Sequence, residues 1–307
     1  MLLLEKEVIL LYNTNIFNDE REENMKGIRI ITDSTSDLTP ELYEKLDIEV
    51  IPLTVSIGGK SYADGKDINS EMLYDLVKEH GELPKTAAVP PGTLIKIFEK
   101  HIASGYDVLF ICIGANFSAN YQNACLAAKE LPEGRVRIVD SGNLSSGIGL
   151  LLIKAAKFRD QGDSLEEIAR KVEELVPLVR TQFAINTLAY LHKGGRCSGT
   201  SRIIGTVLRI KPIIRVVDGK MEVAKKPLGR FERALRMLLE YFQNDAENID
   251  PEYVMVTHSM ADEDAVYLRE EIAKIADVEN ICETKAGAVI STHCGPRTIG
   301  ILYLLKK

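Results

Sequence analysis

The chain has 307 residues, of which 45% are hydrophobic, and its 38 Lys and Arg against 45 Asp and Glu leave a formal net charge of -7. This length allows two domains of ordinary size with a large core. The negative balance argues against nucleic acid as the main partner, because a binding face needs clustered positive charge. No apolar run approaches membrane-spanning length, so we expect no membrane span.

The first 24 residues differ from the rest of the chain, and we interpret 1–24 as an N-terminal extension. The apolar run at 1–12 is interrupted by charges at 5–7, and no small-residue cleavage site follows. This pattern argues against a signal peptide. A polar, charged run at 18–24 separates the extension from the first convincing strand.

Strands alternate with helices through the first half, which is typical of an α/β fold with a parallel sheet. Strands are predicted at 27–32, 50–56 and 136–140, and the continuous apolar run 107–113 (DVLFICI) predicts a strand buried on both faces. The strands at 27–32 and 136–140 both end in Asp-Ser, which predicts a polar rim at the carboxyl edge of the sheet. We assign residues 25–170 to this N-terminal α/β domain.

The second half mixes hairpins with helices, which indicates an α+β domain over 171–307. Asp218-Gly219 separates two apolar segments and predicts a two-residue hairpin turn. An amphipathic helix is predicted at 230–243 and another helix at 262–275, with a strand at 299–305.

The five cysteines are scattered, odd in number and without a C-x-x-C pair (Cys112, Cys125, Cys197, Cys282 and Cys294). Most lie in apolar or small-residue contexts. We therefore expect reduced thiols in a cytoplasmic protein, with neither a disulfide framework nor a zinc site.

A candidate anion site follows the strand at 107–113. That strand stops at a turn-prone segment, 114–116, and a run rich in helix formers continues to about 131. Free backbone N–H groups and the helix dipole favour a carboxylate or phosphate there. Ser118 is placed either to bind that group or only to cap the helix.

Two further segments combine hydroxyl or imidazole side chains with Gly or Pro, at 86–92 and at 291–296. His293 lies in a predicted small-residue loop, and we expect it to be functional. A nucleotide-binding enzyme would need a phosphate cradle, but no G-x-x-x-x-G-K-[ST] or strand-linked G-x-G-x-x-G sequence occurs.

From residue 28 to its end the chain resembles the DegV family of bacterial fatty-acid-binding proteins, the lipid carriers of fatty acid kinase. The resemblance is carried in order by ITDSTSDL at 31–38, Thr86 before Pro90, FSANYQ at 117–122, YLHKGGR at 190–196, LRIKPII at 208–214 and HCGP at 293–296. FSANYQ departs from the family's Leu-Ser-Gly-Thr-Tyr-Gln, with Ala119 and Asn120 replacing Gly and Thr.

The resemblance implies a long-chain fatty acid buried in a tunnel between the two domains, with its carboxylate held by Thr86, Ser118 and His293. It implies no cofactor and no catalysis by this chain. The partner would be the ATP-binding kinase subunit, which phosphorylates the carboxylate to an acyl phosphate for phospholipid synthesis.

Three other residues have predicted roles around that site. Ser34 and Arg297 are expected to neighbour the head group, and Arg297 stands where the family commonly has Gly. Arg196 follows two glycines where a helix should end, and we expect its side chain to belong to a partner-docking surface rather than to the lipid site.

Two other functions are compatible with the same residues. The chain could be a sensor whose lipid occupancy controls a partner, or a serine-dependent hydrolase that uses Ser118 with His293. Against the hydrolase, Ser118 is not in a G-x-S-x-G segment and no third orienting acid is identifiable.

Overall fold

The structure, a computed structural model, describes residues 27–198 and 210–307. The strands of these residues are β1 (Gly27–Asp33), β2 (Ile48–Ile51), β3 (Thr54–Ile57), β4 (Lys60–Ala63), β5 (Lys85–Ala87), β6 (Tyr106–Cys112), β7 (Val136–Asp140), β8 (Val179–Ala184), β9 (Cys197–Ser198), β10 (Ile213–Val217), β11 (Lys220–Lys225), β12 (Ile249–Ser259), β13 (Ile281–Lys285) and β14 (Thr298–Leu305). The helices are α1 (Pro40–Lys45), α2 (Ser70–His80), α3 (Pro91–Ala103), α4 (Asn120–Ala128), α5 (Ser146–Asp160), α6 (Leu165–Leu175), α7 (Ala189–Gly194), α8 (Glu232–Asp245), α9 (Asp262–Ile275) and α10 (Ala288–Cys294). None of these helices has the length and apolar character that crossing a membrane requires.

The N-terminal half contains the predicted parallel sheet, in the order β2-β1-β6-β7. The residues of β6 from 107 to 112 are buried, as expected for a central strand covered by helices on both faces. Thr32 pairs with Ile111, and Cys112 pairs with Asp140, so β1, β6 and β7 end at one edge. The polar rim predicted from the two Asp-Ser strand ends is therefore confirmed.

The single strand predicted at 50–56 is wrong, because two strands of two different sheets occupy this segment. β2 belongs to the parallel sheet, whereas β3 belongs to a small antiparallel sheet of order β4-β3-β5. Pro52 lies between them and has no N–H to donate to a ladder. The second sheet matters for the site because Val55 of β3 pairs with Thr86 of β5.

The C-terminal half contains a mixed seven-stranded sheet of order β13-β12-β14-β8-β10-β11-β9. The predicted hairpin is confirmed, since Val217 pairs with Lys220 around a turn in which Asp218 and Gly219 both have positive φ. Helices α8 and α9 cover one face of the sheet. The predicted fold class, a parallel α/β part and a mixed α+β part, is confirmed.

Helix α5 lies between the two sheets. Its first eight residues, 146–153, are all buried, and it contacts β1 and β6 on one side and β8, β12 and β14 on the other. An apolar helix of this kind needs burial on more than one face. Residue 170 lies inside α6, so we propose to divide the two domains at 176–178, after that helix ends.

Gly149 of α5 allows this helix to approach the segment after β1. A Cβ at position 149 would lie 2.5 Å from Leu38 Cδ2 and 3.0 Å from the carbonyl oxygen of Ser36. Gly149→Ala should therefore lower the free energy of unfolding of the lipid-free protein by about 1–3 kcal/mol, because backbone must move to make room. Urea-induced unfolding measures this change.

Gly92→Ala is the matched control for this substitution. Gly92 lies in the first turn of α3, and a Cβ there would meet nothing within 4 Å. The control should leave stability unchanged or raise it by up to about 1 kcal/mol. Equal losses in both variants would contradict the packing argument.

Candidate functional site

A cavity of about 220 Å³, here called the main cavity, lies between the two halves of the protein. Its polar wall residues come from four separate segments and are Thr86, Ser118, Arg196 and His293. Most other wall residues are apolar and come from both halves: Leu53, Ile113, Phe117, Leu144, Phe183, Leu191, Met221, Val289, Ile290 and Cys294. The main cavity thus combines an extended apolar wall with a few polar groups.

A second cavity of about 40 Å³ lies next to the main cavity, beside β12 and β14. The two cavities share four wall residues, Leu144, Phe183, Ile290 and Cys294. Hydroxyls that line the small cavity, such as Thr257 and Ser259, are hydrogen-bonded to other side chains. The walls of both cavities are mainly apolar.

Thr86 and His293 meet at the polar part of the main cavity. Thr86 Oγ1 lies 3.0 Å from His293 Nε2, which joins β5 to the last turn of α10. The loop predicted around His293 is wrong, because 288–294 is helical. That helix begins after Gly287 without a side-chain cap, so the usual sequence signal for a helix start is missing.

His293 is neutral at neutral pH. Burial, together with the nearby Arg196 guanidinium, lowers the pKa of His293 to about 4. Its Nδ1 is inaccessible and has no hydrogen-bond partner among the described residues, and Gly194 packs against it so closely that a Cβ would lie 2.5 Å away. The proton is therefore better placed on Nε2, which donates it to Thr86 Oγ1. The Thr86 hydroxyl is then left to donate to a ligand.

Two buried carboxylates of the N-terminal half fix the orientation of α10. The Gly287 N–H donates to Asp37 Oδ1 (2.9 Å) and the Ala288 N–H donates to Asp64 Oδ1 (2.7 Å). Burial raises the pKa of Asp37 well above its usual range and that of Asp64 to about 6, and the neighbouring carboxylates add to both shifts. Because these contacts join the start of α10 to the N-terminal half, they determine where His293 lies.

Ser118 lies in the turn before α4, where it makes one hydrogen bond and lines the main cavity. Its Oγ accepts the N–H of Asn120 (3.2 Å), the first residue of α4, from a position one residue before the N-cap Ala119. The same residue lines the main cavity, and its hydroxyl proton is not donated to any residue that the structure describes. The two roles predicted for Ser118 are thus compatible with each other.

Ser34, a predicted neighbour of the head group, lies outside the main cavity, so the structure does not bring it to Thr86, Ser118 and His293. Its hydroxyl donates to Asp64 Oδ2 (2.8 Å) and accepts the Leu53 N–H (3.1 Å). Ser34 therefore supports one of the carboxylates that hold α10.

Arg297 also lies outside the main cavity, so the structure does not bring it to the other predicted head-group residues, Thr86, Ser118 and His293. Its guanidinium makes two hydrogen bonds to Asp264 (2.8 and 3.1 Å) and lies 4.8 Å from the centre of the Phe231 ring. Arg297 has a φ of 55°, a left-handed conformation that explains why Gly suits this position. Four residues of separation from His293 in sequence do not bring the two side chains to one site.

Arg196 is exposed, as predicted, but it lines the mouth of the main cavity. Its guanidinium donates to the Phe117 carbonyl (3.4 Å) and to the Gly194 carbonyl (2.5 Å). The guanidinium is thus positioned where the cavity meets solvent, and its role in docking a partner stays a prediction.

The low pKa of His293 predicts a pH dependence of stability. The unfolded chain takes up the His293 proton near pH 6.5, but the folded protein takes it up only near pH 4. Protonation therefore favours the unfolded chain, and the free energy of unfolding decreases as pH falls through that window. At roughly 1.4 kcal/mol per pKa unit, the loss should be about 3 kcal/mol. Urea unfolding of the lipid-free protein between pH 4 and pH 7 measures it.

His293→Gln is the reference for this measurement, since Gln does not titrate. Asp64 changes stability in the opposite direction over the same window, because its raised pKa makes the protonated folded form favourable, and this contribution is common to both proteins. Wild-type and variant curves that stay parallel below pH 6.5 would show that the pKa of His293 is not depressed.

Comparisons of the sequence with known proteins identify related proteins of one family. A family model described as "Uncharacterised protein, DegV family" matches residues 27–306. A DegV domain-containing protein of Clostridium acetobutylicum is 36% identical over 283 residues, which cover 92% of this chain and 100% of that protein.

Solved structures of related proteins have the same fold. A fatty-acid-binding DegV family protein of Thermus thermophilus superposes with a TM-score of 0.85 at 31% identity, over 91% of this chain and 99% of that one. A stearic-acid-binding protein of Eubacterium ventriosum superposes with a TM-score of 0.80 at 26% identity, over 91% and 98% of the two chains. The match over nearly the whole described length shows that this chain belongs to the DegV family.

Proposed function

We propose that this protein binds one long-chain fatty acid in the main cavity, with its carboxylate at Thr86, Ser118 and His293, where the two hydroxyls donate to it and His293 orients the Thr86 hydroxyl. The observation that carries the proposal is a mainly apolar cavity with few polar wall residues, next to a second, smaller apolar cavity that shares part of its wall. Fatty acids bound by related proteins of the same fold support it. A chain with one polar end fits this division of the wall better than a polar metabolite does.

The energetics of such a complex follow from the cavity walls. Burial of about fourteen methylenes at roughly 0.8 kcal/mol each gives an upper bound near 11 kcal/mol before ordering costs. Two or three hydrogen bonds to a charged group add about 1.5–3 kcal/mol each, partly cancelled by desolvation. The acyl chain then supplies affinity, and the polar residues supply orientation.

We propose further that the protein is a carrier that presents the carboxylate to a fatty acid kinase subunit. A carboxylate oxygen would attack the γ-phosphoryl group of ATP held by that subunit, with ADP leaving and an acyl phosphate forming for phospholipid synthesis. The sequence lacks a phosphate cradle of its own. Arg196 is exposed at the cavity mouth, where a cation could contact both the partner and the developing acyl phosphate.

The geometry gives no support to a hydrolase that uses Ser118 and His293. The nearest partner of His293 Nε2 is Thr86, and Nδ1 faces Gly194 instead of an orienting carboxylate. A serine nucleophile needs a base that is oriented in this way. A lipid-responsive sensor would use the same cavity, and no feature of the described residues favours it over the carrier.

Mass spectrometry of the purified protein tests the binding proposal. The wild-type protein should carry a free fatty acid of long chain length. Ile290→Trp should abolish this content while preserving the fold. Ile290 belongs to the wall shared by the two cavities, and the larger Trp ring would fill the space that the acyl chain needs. An empty wild-type protein, or equal lipid in both proteins, would contradict the proposal.

Ser118→Ala and Thr86→Ala separate binding from presentation. Each should weaken fatty-acid binding by about 1–3 kcal/mol, since one hydrogen bond is lost and the apolar contacts remain. The rate of acyl-phosphate formation with the kinase subunit should fall much further, because transfer requires a fixed carboxylate. Calorimetry gives the dissociation constants, and a coupled ADP assay gives the rates.

Thr39→Ala is the matched control for the two hydroxyl deletions. Thr39 caps α1 by accepting the Leu42 N–H (3.3 Å) and lines neither cavity. It should lower stability without changing either the dissociation constant or the rate. If Ser118→Ala changes only stability, as this control does, Ser118 is a helix cap and nothing more.

A further inference from the structure

Asn120 connects the segments that carry two of the proposed carboxylate ligands. Its side chain is fully buried at the start of α4. The Oδ1 atom accepts the Val89 N–H (3.2 Å), and Nδ2 donates to Asp33 Oδ2 (2.8 Å). Both ends of the amide are therefore used, and each partner permits only one orientation of the amide group.

These contacts bring together parts of the chain that are distant in sequence. Val89 lies three residues after Thr86, and the Asn120 backbone N–H donates to Ser118 Oγ (3.2 Å). The same Asp33 oxygen accepts the Ile113 N–H (3.0 Å) at the end of β6. Thr86, Ser118 and the carboxyl edge of the parallel sheet are thus all connected through Asn120.

We propose that Asn120 is a positioning residue, which sets the position of the Thr86 segment relative to Ser118. This inference rests on the proposed fatty-acid site and deepens it. A shorter side chain with one hydroxyl, such as Thr, could not replace both hydrogen bonds of the amide. An Asp at this position would place a second carboxylate against buried Asp33, whose pKa is already raised by burial.

The test uses lipid-free protein loaded with [1-13C]palmitate, because the carboxyl resonance reports the surroundings of the head group directly. The wild-type complex should give one narrow bound resonance. Asn120→Thr should give a shifted or split resonance, as Thr86→Ala should, while the palmitate dissociation constant rises by less than about tenfold, the factor for one weak hydrogen bond. Transfer by a kinase subunit is not needed for this measurement.

Hydrogen exchange supplies a second measurement that does not need ligand. The Val89 amide should exchange about fivefold faster in lipid-free Asn120→Thr, the factor for losing a hydrogen bond of about 1 kcal/mol. Asn280→Thr is the matched control, because Asn280 Nδ2 donates to the Glu252 carbonyl (2.8 Å) and the residue lines neither cavity. The control should leave both the Val89 exchange rate and the carboxyl resonance unchanged.

The outcomes distinguish the two proposals. An unchanged carboxyl resonance in Asn120→Thr would overturn the positioning role and leave the fatty-acid site intact. A change of equal size in Asn280→Thr would also overturn it, because the resonance would then report general loosening. A wild-type protein without a bound resonance would overturn the proposed function and the positioning role together.

Discussion

The site depends on hydrogen bonds from backbone N–H groups to three buried carboxylates. Asp33 holds the end of β6, and Asp37 and Asp64 hold the start of α10. Burying a carboxylate is costly, and the raised pKa values of all three residues express that cost. Charge-assisted hydrogen bonds offset this cost. They also fix the orientation of the backbone relative to each carboxylate, because a backbone N–H must point at a particular oxygen. Ser118 and His293 acquire their positions from these contacts.

This arrangement places neutral side chains at the proposed carboxylate site. The hydroxyls of Thr86 and Ser118 can donate to a carboxylate, and uncharged His293 orients the Thr86 hydroxyl, so no ion pair is needed inside the cavity. The cation, Arg196, lies at the mouth instead. For the proposed carrier this separation would be useful, since a carboxylate paired with a deeply buried cation would be held strongly but would be a poorer nucleophile for phosphoryl transfer.

Polar contacts outside the cavity help to position the residues that line it. Ser34 supports Asp64, which in turn accepts the Ala288 N–H of α10. Asn120 connects Asp33 to the segment of Thr86. Residues outside the cavity thus help to position the residues that line it, as is general for sites built from several loops.

The sequence by itself determined the features that depend on local pattern. The buried strand β6, the hairpin at Asp218-Gly219 and helix α9 were predictable because apolar periodicity and turn chemistry act over a few residues. The resemblance to the DegV family identified Thr86, Ser118 and His293, which the structure brings to one cavity.

Only the tertiary structure decided how those residues are related in space. Thr86 and His293 are 207 residues apart, and their contact exists because α10 docks on carboxylates of the other half. The same docking makes 288–294 helical despite the missing cap signal, and Pro52 separates two strands that the apolar pattern joined. Arg297 lies four residues from His293 but pairs with Asp264, whereas Arg196 lies at the cavity mouth. Sequence distance does not determine these positions, because they depend on which distant groups each side chain meets in the folded protein.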